Sequence, residues 1–370
     1  FGVYLNESGY NTIRNSIFTY CDFGIFIASG YRNPENKIYG NTIYGCSDVG
    51  IFINSNAQYS YDNYIYNNTL KACSIGLHIG NYSNNGEANN VISHNVFISN
   101  KDAIKLFHKS NTISNNYFVL NRNGIICWQS DYNTITRNLF SRNNLHSIIL
   151  AAGSSFNSVT YNNLNYSSGG VNITADSSRM SLYNSFLYNT LFQNSDWSFQ
   201  IGNTPQGAVQ FNNLINNGEF RSFLNQSDSL VHGEYNFWGT VVESAIDSII
   251  FDFNDDALLG EVIHEPILTS ILTTAPVPPP PHVKKQLVGN AVVVSWDELQ
   301  IADIKGYNVY FGTNDGVVYE NSIPNGMNRF LNLGNIPVTD SVAVTAFDLS
   351  ADGLHDQTEG YESDYAVAEL

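Results

Sequence analysis

Short apolar segments recur along the first two-thirds of the chain, and each alternates hydrophobic and polar residues. Three such segments, separated by Asn, Ser and Gly, form a unit that returns every 21 to 28 residues or so. A period of two predicts strands, and a unit this short has no room for two helices, so each unit predicts three strands and three turns. The clearest copies are Asn11-Thr12-Ile13 with Gly24-Ile25-Phe26-Ile27, Asn41-Thr42-Ile43 with Gly50-Ile51-Phe52-Ile53, Asn68-Thr69-Leu70 with Gly76-Leu77-His78-Ile79, and Asn95-Val96-Phe97 with Ala103-Ile104-Lys105-Leu106.

A unit of three strands and three turns is one coil of a parallel β-helix. A single coil cannot bury its inward aliphatic residues, so coils stack at about 4.8 Å and cover one another. We predict an all-β solenoid of about nine coils, about 45 Å long. Asn suits the turns because it tolerates the left-handed conformation and its amide can bond to the Asn one coil away. The best candidates for such a ladder are Asn15, Asn41, Asn68, Asn95, Asn116, Asn138 and Asn189.

Composition changes twice towards the C-terminus. The repeat stops near Trp238, and residues 241–267 predict a short helix, an acidic loop and a last strand, so we assign residues 1–272 to the β-helix with a cap at about 236–272. Residues 273–282 are proline-rich and predict a stiff, extended linker. Residues 283–370 contain alternating β-segments over roughly the length of a small β-sandwich of about 100 residues.

Two resemblances follow from these segments. The repeats, closed by Asn236-Phe237-Trp238-Gly239, resemble right-handed parallel β-helix proteins of the pectate-lyase-like superfold over residues 1 to about 270. That superfold hosts lyases, hydrolases, epimerases and adhesins, so it implies a fold rather than an activity. The phrases Val294-Ser295-Trp296, Gly306-Tyr307-Asn308-Val309-Tyr310 and Val342-Ala343-Val344 resemble a fibronectin type III module, which implies a spacer or binding unit. Ser341 stands where that family usually has its corner tyrosine.

The chain carries a formal charge of −17, yet only 13% of its residues are charged. Its surface is therefore polar without being strongly charged. The chain has no Lys/Arg cluster, which argues against nucleic acid and anionic membranes as partners, and no apolar run approaches the roughly 20 residues of a membrane span. We expect a secreted or cell-surface protein. Because Phe1-Gly2-Val3-Tyr4-Leu5 is already in register with the repeated phrase, we also expect further coils and a signal before Phe1.

Cysteine and acidic residues offer weak metal or disulfide signals. Cys21, Cys46 and Cys73 occupy the place taken by Asn in later coils, where we predict stacked free thiols rather than disulfides or metal ligands. The spacing of Asp252, Asn254 and Asp256 matches the start of a calcium loop, but Ala257 replaces the required Gly. We predict no cofactor, with calcium at this loop as a weak alternative.

In each Gly-Ile-x-Ile strand the middle residue points outward, since side chains alternate across a strand. Phe107 and Trp128 widen this column, and the long turns beside it carry Tyr31, Tyr59, Tyr61 and Tyr82. We interpret this surface as a glycan-binding cleft of aromatic faces and polar contacts. Two alternatives are aromatic stacking that only stabilises the sheet, and a protein interface. From coil to coil the column contains Tyr4, Phe26, Phe52, His78, Lys105, Ile126, Ile149, Asn172 and Gln200.

The sequence leaves open whether the protein is an enzyme. The candidate catalytic residues are Asp22, Asp48, Asp102, His78 and Lys105, because the resembling polygalacturonases use paired carboxylates and the resembling lyases use a base beside the groove. Neither pattern is complete, and Asp at a turn commonly caps backbone groups instead. The prediction is thus a polysaccharide-interacting surface protein. The alternatives are a polysaccharide lyase or glycoside hydrolase, and an architectural protein of a surface layer, adhesin or fibre.

Overall fold

The computed structural model describes residues 1–28, 34–54, 61–81, 87–174, 179–202, 207–218, 222–313, 319–349 and 362–370. Each of the first nine coils contributes three short strands, as the repeat predicts. Coils 1 to 3 contain β1 (Val3–Asn6), β2 (Thr12–Arg14), β3 (Ile17–Thr19), β4 (Phe23–Ala28), β5 (Lys37–Tyr39), β6 (Thr42–Tyr44), β7 (Val49–Asn54), β8 (Tyr64–Tyr66) and β9 (Thr69–Lys71). Coils 4 to 6 contain β10 (Ile75–Ile79), β11 (Val91–Ser93), β12 (Val96–Ile98), β13 (Asp102–Leu106), β14 (Thr112–Ser114), β15 (Tyr117–Val119), β16 (Asn123–Trp128), β17 (Thr134–Thr136) and β18 (Leu139–Ser141).

The helix then closes and a second β region follows. Coils 7 to 9 contain β19 (His146–Ala151), β20 (Ser158–Thr160), β21 (Asn163–Asn165), β22 (Gly169–Ile173), β23 (Ser185–Leu187), β24 (Thr190–Phe192), β25 (Trp197–Ile201), β26 (Val209–Gln210) and β27 (Asn213–Ile215). The closing part contains β28 (Phe223–Asn225), β29 (Val231–His232), α1 (Glu243–Asp247), β30 (Ile250–Phe251) and β31 (Val262–Ile263). The C-terminal part contains β32 (Lys284–Val288), β33 (Ala291–Ser295), β34 (Ile304–Thr313), β35 (Tyr319–Gly326), β36 (Phe330–Asn332), β37 (Val342–Asp348) and β38 (Ala366–Val367).

Three parallel sheets form the walls of the solenoid, because each strand pairs with its counterpart one coil away. Sheet 1 has eleven strands and runs from β1 through β4 and every third strand to β25, then β28 and β30. Sheet 2 runs from β2 to β26 and sheet 3 from β3 to β27, each with nine strands. None of the described helices is long and apolar enough to cross a membrane.

Aliphatic and aromatic side chains fill the interior in columns. In sheet 1 the fully buried Ile25 pairs with Ile51, Ile51 with Leu77, and Leu77 with Ile104, each one coil further along. Where larger side chains are needed, rings stack along the axis, as in the sequence Phe97, Phe118, Phe140 with centroid separations of 5.0 and 4.6 Å. Each coil therefore buries the apolar face of the coil before it, which a single coil could not do alone.

Three ladders of buried Asn residues hold the corners. Asn68 is typical: its Oδ1 accepts the backbone N–H and the side-chain amide of Asn41, each at 3.0 Å, and its own amide donates to Oδ1 of Asn95 at 3.0 Å. That ladder contains Asn41, Asn68, Asn95, Asn116, Asn138, Asn162, Asn189, Asn212 and Asn236.

The predicted ladder is confirmed except at its first member. The prediction for Asn15 is wrong, because Ser16 occupies the ladder position and donates its backbone N–H to Oδ1 of Asn41 at 3.1 Å. Asn15 instead holds the preceding position, which is left-handed in each coil and points outward, with φ of 51° here and 54° at Asn67. A shift of one residue thus exchanges an inward role for an outward one.

The C-terminal region forms two small antiparallel sheets around one core. One sheet has the order β32, β33, β36, and the other β35, β34, β37, β38. Trp296 and Tyr307 lie at the centre of their shared core, with ring centroids 5.4 Å apart. Ser341, at the expected corner position, lies 2.9 Å from the hydroxyl of Tyr319.

This region and the proline segment pack on sheet 3. Residues 275–280 of the predicted linker are buried. The amide of Asn163 donates to the carbonyl of Val277 at 3.1 Å, and the hydroxyl of Thr190 donates to the carbonyl of Pro276 at 2.5 Å. The segment that the sequence predicts as a stiff, extended linker therefore lies against β21 and β24.

A buried polar contact joins the last strand to the same sheet. Arg142 donates to the carbonyl of Tyr365 at 2.7 Å and lies 3.7 Å from Asp364, which is fully buried. Burial raises the pKa of Asp364 despite the neighbouring guanidinium. Sheet 3 is consequently covered in its later coils, whereas the outer faces of sheets 1 and 2 keep half-exposed side chains.

Candidate functional site

The outer face of sheet 1 carries the column that the sequence predicts. Tyr4 pairs with Phe26, Phe26 with Phe52, Phe52 with His78, and His78 with Lys105, each one coil further along. From Phe26 to Lys105 the neighbours of each column residue within its strand are buried, because alternate side chains enter the core. The repeat thus places one outward side chain from each coil in a continuous row.

In the first three coils this row is aromatic. The rings of Tyr4 and Phe26 are nearly parallel, with centroids 5.5 Å apart, whereas the rings of Phe26 and Phe52 meet edge to face with centroids 5.1 Å apart. Phe1 and Phe23 lie beside them, with centroids 5.2 Å apart. These separations are those of favourable aromatic pairs. The rings thus form a cohesive, half-exposed strip, which we call the aromatic strip.

His78 ends the aromatic strip and begins a polar one. Its ring stacks on Phe52 at 4.4 Å and contacts Phe107 at 5.2 Å. Burial, together with the positive charges of Lys105 and His108, lowers the pKa of His78 to about 4. The imidazole is therefore neutral at pH 7, and its Nε2 has no hydrogen-bond partner among the described residues.

An ion pair follows in the next coil. Nζ of Lys105 lies 2.9 Å from Oδ2 of Asp102, and the amide of Asn123 donates to Oδ1 of Asp102 at 2.8 Å. Asp102 is nearly fully buried, so both of its oxygens are engaged by protein groups. The structure thus brings together Asp102, Lys105 and His78 among the candidate catalytic residues.

Asp22 and Asp48 do not join that group. Both are exposed at the turn before sheet 1, and Oδ1 of Asp22 accepts a hydrogen bond from the hydroxyl of Ser47 at 2.6 Å. This is the turn-stabilising role that Asp commonly has. Their catalytic role stays a prediction.

Of the four tyrosines that the sequence places beside the column, one lies among the described residues. Tyr31, Tyr59 and Tyr82 lie outside the described residues, and Tyr61 is half-buried in the turn before sheet 2. Trp128 is half-buried at the end of its strand, beside the column.

Sequence reasoning missed a polar group further along the same face. His146, Asn172 and Trp197 lie together: His146 is 3.3 Å from the Asn172 amide, and its ring centroid is 5.7 Å from that of Trp197. A Cβ atom at Gly169 would stand 2.7 Å from Nε1 of Trp197 and 2.8 Å from Nδ1 of His146, so glycine is required between them. Those two nitrogens have no partner among the described residues.

A positional signal could have revealed this group. His146 and Trp197 stand at the first outward position of their strands, three residues before the column, in line with Asn123 and Asp102. The spacing of three residues to the column is the same in each of these coils, so reading the first outward position coil by coil would have aligned them.

The cysteines and the acidic loop have structural partners. Cys21, Cys46 and Cys73 are free thiols, as predicted, and so is Cys127. The backbone N–H of Cys73 donates to Oδ1 of Asn100 at 2.9 Å, which places Cys73 in the third corner ladder. In the acidic loop, Asp252 accepts the N–H groups of Asn254 and Val262 at 2.9 and 2.7 Å. Calcium at Asp252, Asn254 and Asp256 stays a prediction.

Comparison with known proteins agrees with this architecture. Residues 1–118 match the family model described as a right handed beta helix region. No curated protein matches the sequence of this chain. With the strand order and register above, the chain is an all-β protein built on a right-handed parallel β-helix of about nine coils, with small antiparallel sheets at its C-terminus.

Proposed function

We propose that this is a secreted or cell-surface protein that binds polysaccharide on the outer face of sheet 1. One observation carries the proposal: the aromatic strip continues without a break into the polar residues His78, Lys105 and Asp102. Sugar sites combine an apolar platform with a few polar groups that fix orientation. The parallel β-helix is consistent with such a role, and the weakly charged surface suits the extracellular location we propose.

The rings of the aromatic strip contact one another without a ligand, at 5.1 to 5.5 Å between consecutive members. A preformed platform of this kind loses little side-chain entropy on binding, which favours affinity. The same contacts would also stabilise a sheet that binds nothing. Binding measurements on folded variants separate these two explanations.

The test compares Phe26→Ala/Phe52→Ala with the wild-type protein on a panel of neutral and uronic polysaccharides. We expect at least about tenfold weaker retention in affinity electrophoresis, since each ring contributes on the order of 1 kcal/mol. Tyr20→Asn is the matched control, because it removes an exposed aromatic residue at a corner outside the strip. Unchanged retention of the folded double variant would refute the site.

Catalysis is tested in the same incubations by scoring new reducing or unsaturated ends. The ion pair between Lys105 and Asp102 occupies the amine that a lyase mechanism would need as its base. We therefore expect binding without product, in wild type and in Lys105→Ala alike. Product that disappears in Lys105→Ala or Asp48→Ala would establish the enzymatic alternative.

A second candidate function is architectural, and the cohesive packing of the aromatic strip favours it. In that case a partner chain covers Tyr4, Phe26 and Phe52. Light scattering should then report an assembly that Phe26→Ala/Phe52→Ala dissociates, with no polysaccharide retained.

We infer further that residues 283–370 are a fibronectin type III-like module. The supporting observation is a pair of antiparallel sheets of three and four strands around Trp296 and Tyr307. Packed against sheet 3, this module is a fixed support for the β-helix rather than a free spacer.

A further inference from the structure

The outer face of sheet 2 has a feature that the aromatic strip does not explain. Stacked aromatic residues stand at one end of its strands in coils 6 to 8 and at the other end from coil 7 into the closing part, so both ends are aromatic in coils 7 and 8. The first rail consists of Tyr132, Phe156 and Tyr183, with centroid separations of 5.2 and 5.6 Å. The second rail consists of Tyr161, Tyr188, Phe211 and Tyr235, separated by 5.2, 5.4 and 5.2 Å.

Every residue of both rails has a left-handed backbone. The φ angles are 56° at Phe156, 56° at Tyr161 and 57° at Tyr188. Bulky residues rarely adopt this conformation, and Asn takes it more readily. Asn indeed occupies the position equivalent to Tyr161 in coils 3 and 5, at Asn67 and Asn115. Stacking offsets the cost of the rails but does not explain why they flank one stretch of one sheet.

The floor of sheet 2 also changes along the helix axis: small outward residues begin in β11 and β14, before the rails, and continue between the rails. Outward positions of β2, β5 and β8 carry large or charged side chains, including Arg14, Lys37 and Tyr66. In β17, β20 and β23 the outward residues are Thr134, Thr136, Ser158, Thr160, Ser185 and Leu187. Small residues on the floor and large ones on the rims together make a trough along the helix axis.

The floor presents hydroxyl groups that the protein leaves available. Thr160 donates to Thr136 at 3.2 Å, while the hydroxyls of Thr134, Ser158 and Ser185 have no partner among the residues that the structure describes. The rims are open to solvent too, as Tyr132 is 56% and Tyr183 53% exposed. Hydrogen-bonding groups therefore repeat along the trough at about 4.8 Å, the spacing of the coils.

The chemistry of the trough selects among ligands. Its floor has no charged side chain, and Arg137, which lies 5.5 Å over Tyr161, is the one charge on the rails' line in coils 6 to 8. Anionic polymers need a basic track, and protein interfaces are depleted in Ser. An uncharged, hydroxyl-rich and repeating ligand fits both the floor and the aromatic rims.

We propose that this trough is a second binding site, which takes an extended, neutral polysaccharide chain along the helix axis. The site is separate from the aromatic strip of sheet 1 and does not rest on it. Floor hydroxyls bond the sugar hydroxyls, and the rails confine the chain from both sides.

The test uses xyloglucan, galactomannan and a soluble β-1,3-glucan, with polygalacturonate as the anionic polymer, in affinity electrophoresis. Tyr161→Asn/Tyr188→Asn removes two rings and restores the residue that other coils use there, so the fold should persist. Ser158→Asp adds a charge to the floor. We expect each variant to bind the neutral polymer at least about tenfold more weakly. The matched control is Tyr39→Ser/Tyr66→Ser, which removes a stacked pair 4.7 Å apart on the same sheet outside the trough.

Several results would overturn this proposal. The first is that no neutral polymer retards the wild-type protein. The second is that the rail variants bind as tightly as wild type, or that the control variant loses as much binding as they do. The third is that the wild-type protein prefers polygalacturonate. A dimer that Tyr161→Asn/Tyr188→Asn dissociates would mean a contact between copies instead. Loss of binding only in Phe26→Ala/Phe52→Ala would reject the trough and leave the sheet 1 site standing.

Discussion

His78 is the residue where the two halves of the sheet 1 surface meet, and its environment sets its protonation. It stacks on Phe52, lies one coil from Lys105, and is mostly buried. Burial and the positive charges of Lys105 and His108 disfavour the imidazolium, which is why the pKa of His78 falls from 6.5 to about 4. A neutral ring suits a surface for uncharged ligands and makes His78 a weak base at neutral pH.

This lowered pKa predicts a pH-dependent stability. Above about pH 6.5 the ring is neutral in both folded and unfolded chains, so it adds no slope. Between pH 6.5 and about 4 the unfolded chain binds a proton that the folded chain refuses, so the free energy of unfolding should fall, by up to about 3 kcal/mol. Urea denaturation across this range should show a smaller fall in His78→Phe. Identical pH profiles in the two proteins would contradict the assignment.

At the scale of the elements, the corner ladders tie each coil to the next. The three Asn ladders satisfy backbone groups that the turns would otherwise bury without partners. Adjacent residues of one type have opposite roles here: Asn68 lies inside a ladder, whereas Asn67 is left-handed and points to solvent. Their comparison isolates the contribution of a ladder from that of a turn.

We expect Asn68→Ala to lower the free energy of unfolding by about 2 to 4 kcal/mol, because the amide of Asn41 and the carbonyl of Ile38 lose their hydrogen bonds to the Asn68 side chain. Asn67→Gly keeps the left-handed backbone and should change stability by less than about 1 kcal/mol. Chemical denaturation of the two variants measures the difference. A similar cost at both positions would mean that the ladder adds little.

The sequence predicted the elements well where each coil repeats the same surroundings. The Gly-Ile-x-Ile phrase identified the outward column from Tyr4 to Gln200 because a strand alternates strictly. The group of His146 and Trp197 was missed, because it stands three residues before the column, at a position outside the Gly-Ile-x-Ile phrase. Strand β35 contains Pro324, a residue that argues against a central strand. As the edge strand of its sheet it tolerates proline.

At the scale of the whole molecule, the C-terminal region covers one of the three faces. The proline-rich composition of residues 273–282 predicts a stiff, extended linker, but the hydrogen bonds to Asn163 and Thr190 and the burial of residues 275–280 depend on contacts between distant segments. Local composition carries no information on such contacts. The two exposed faces are those with the aromatic strip and the trough.

The buried contact of Arg142 with Asp364 and Tyr365 predicts how this cover is held. Arg142→Met leaves a buried carboxylate without its partner, which commonly costs about 3 to 5 kcal/mol. We expect the C-terminal region to detach, with a larger radius of gyration in X-ray scattering and faster proteolysis within residues 273–282. Arg137→Met is the matched control, since Arg137 lies over Tyr161 as Arg142 lies over Tyr166. An equal radius of gyration for the two variants would disprove that Arg142 holds the C-terminal region against sheet 3.

The constant rise of the coils makes the molecule a ruler. On both exposed faces the outward side chains of successive coils stand about 4.8 Å apart. A polymer whose own repeat matches this spacing meets the same groups at every coil, so its affinity grows with the number of coils engaged. A polymer with another repeat drifts out of phase and gains nothing from the added length. Lengthening or shortening the solenoid by whole coils would therefore tune selectivity for the period of a polymer, independently of the sugars it contains.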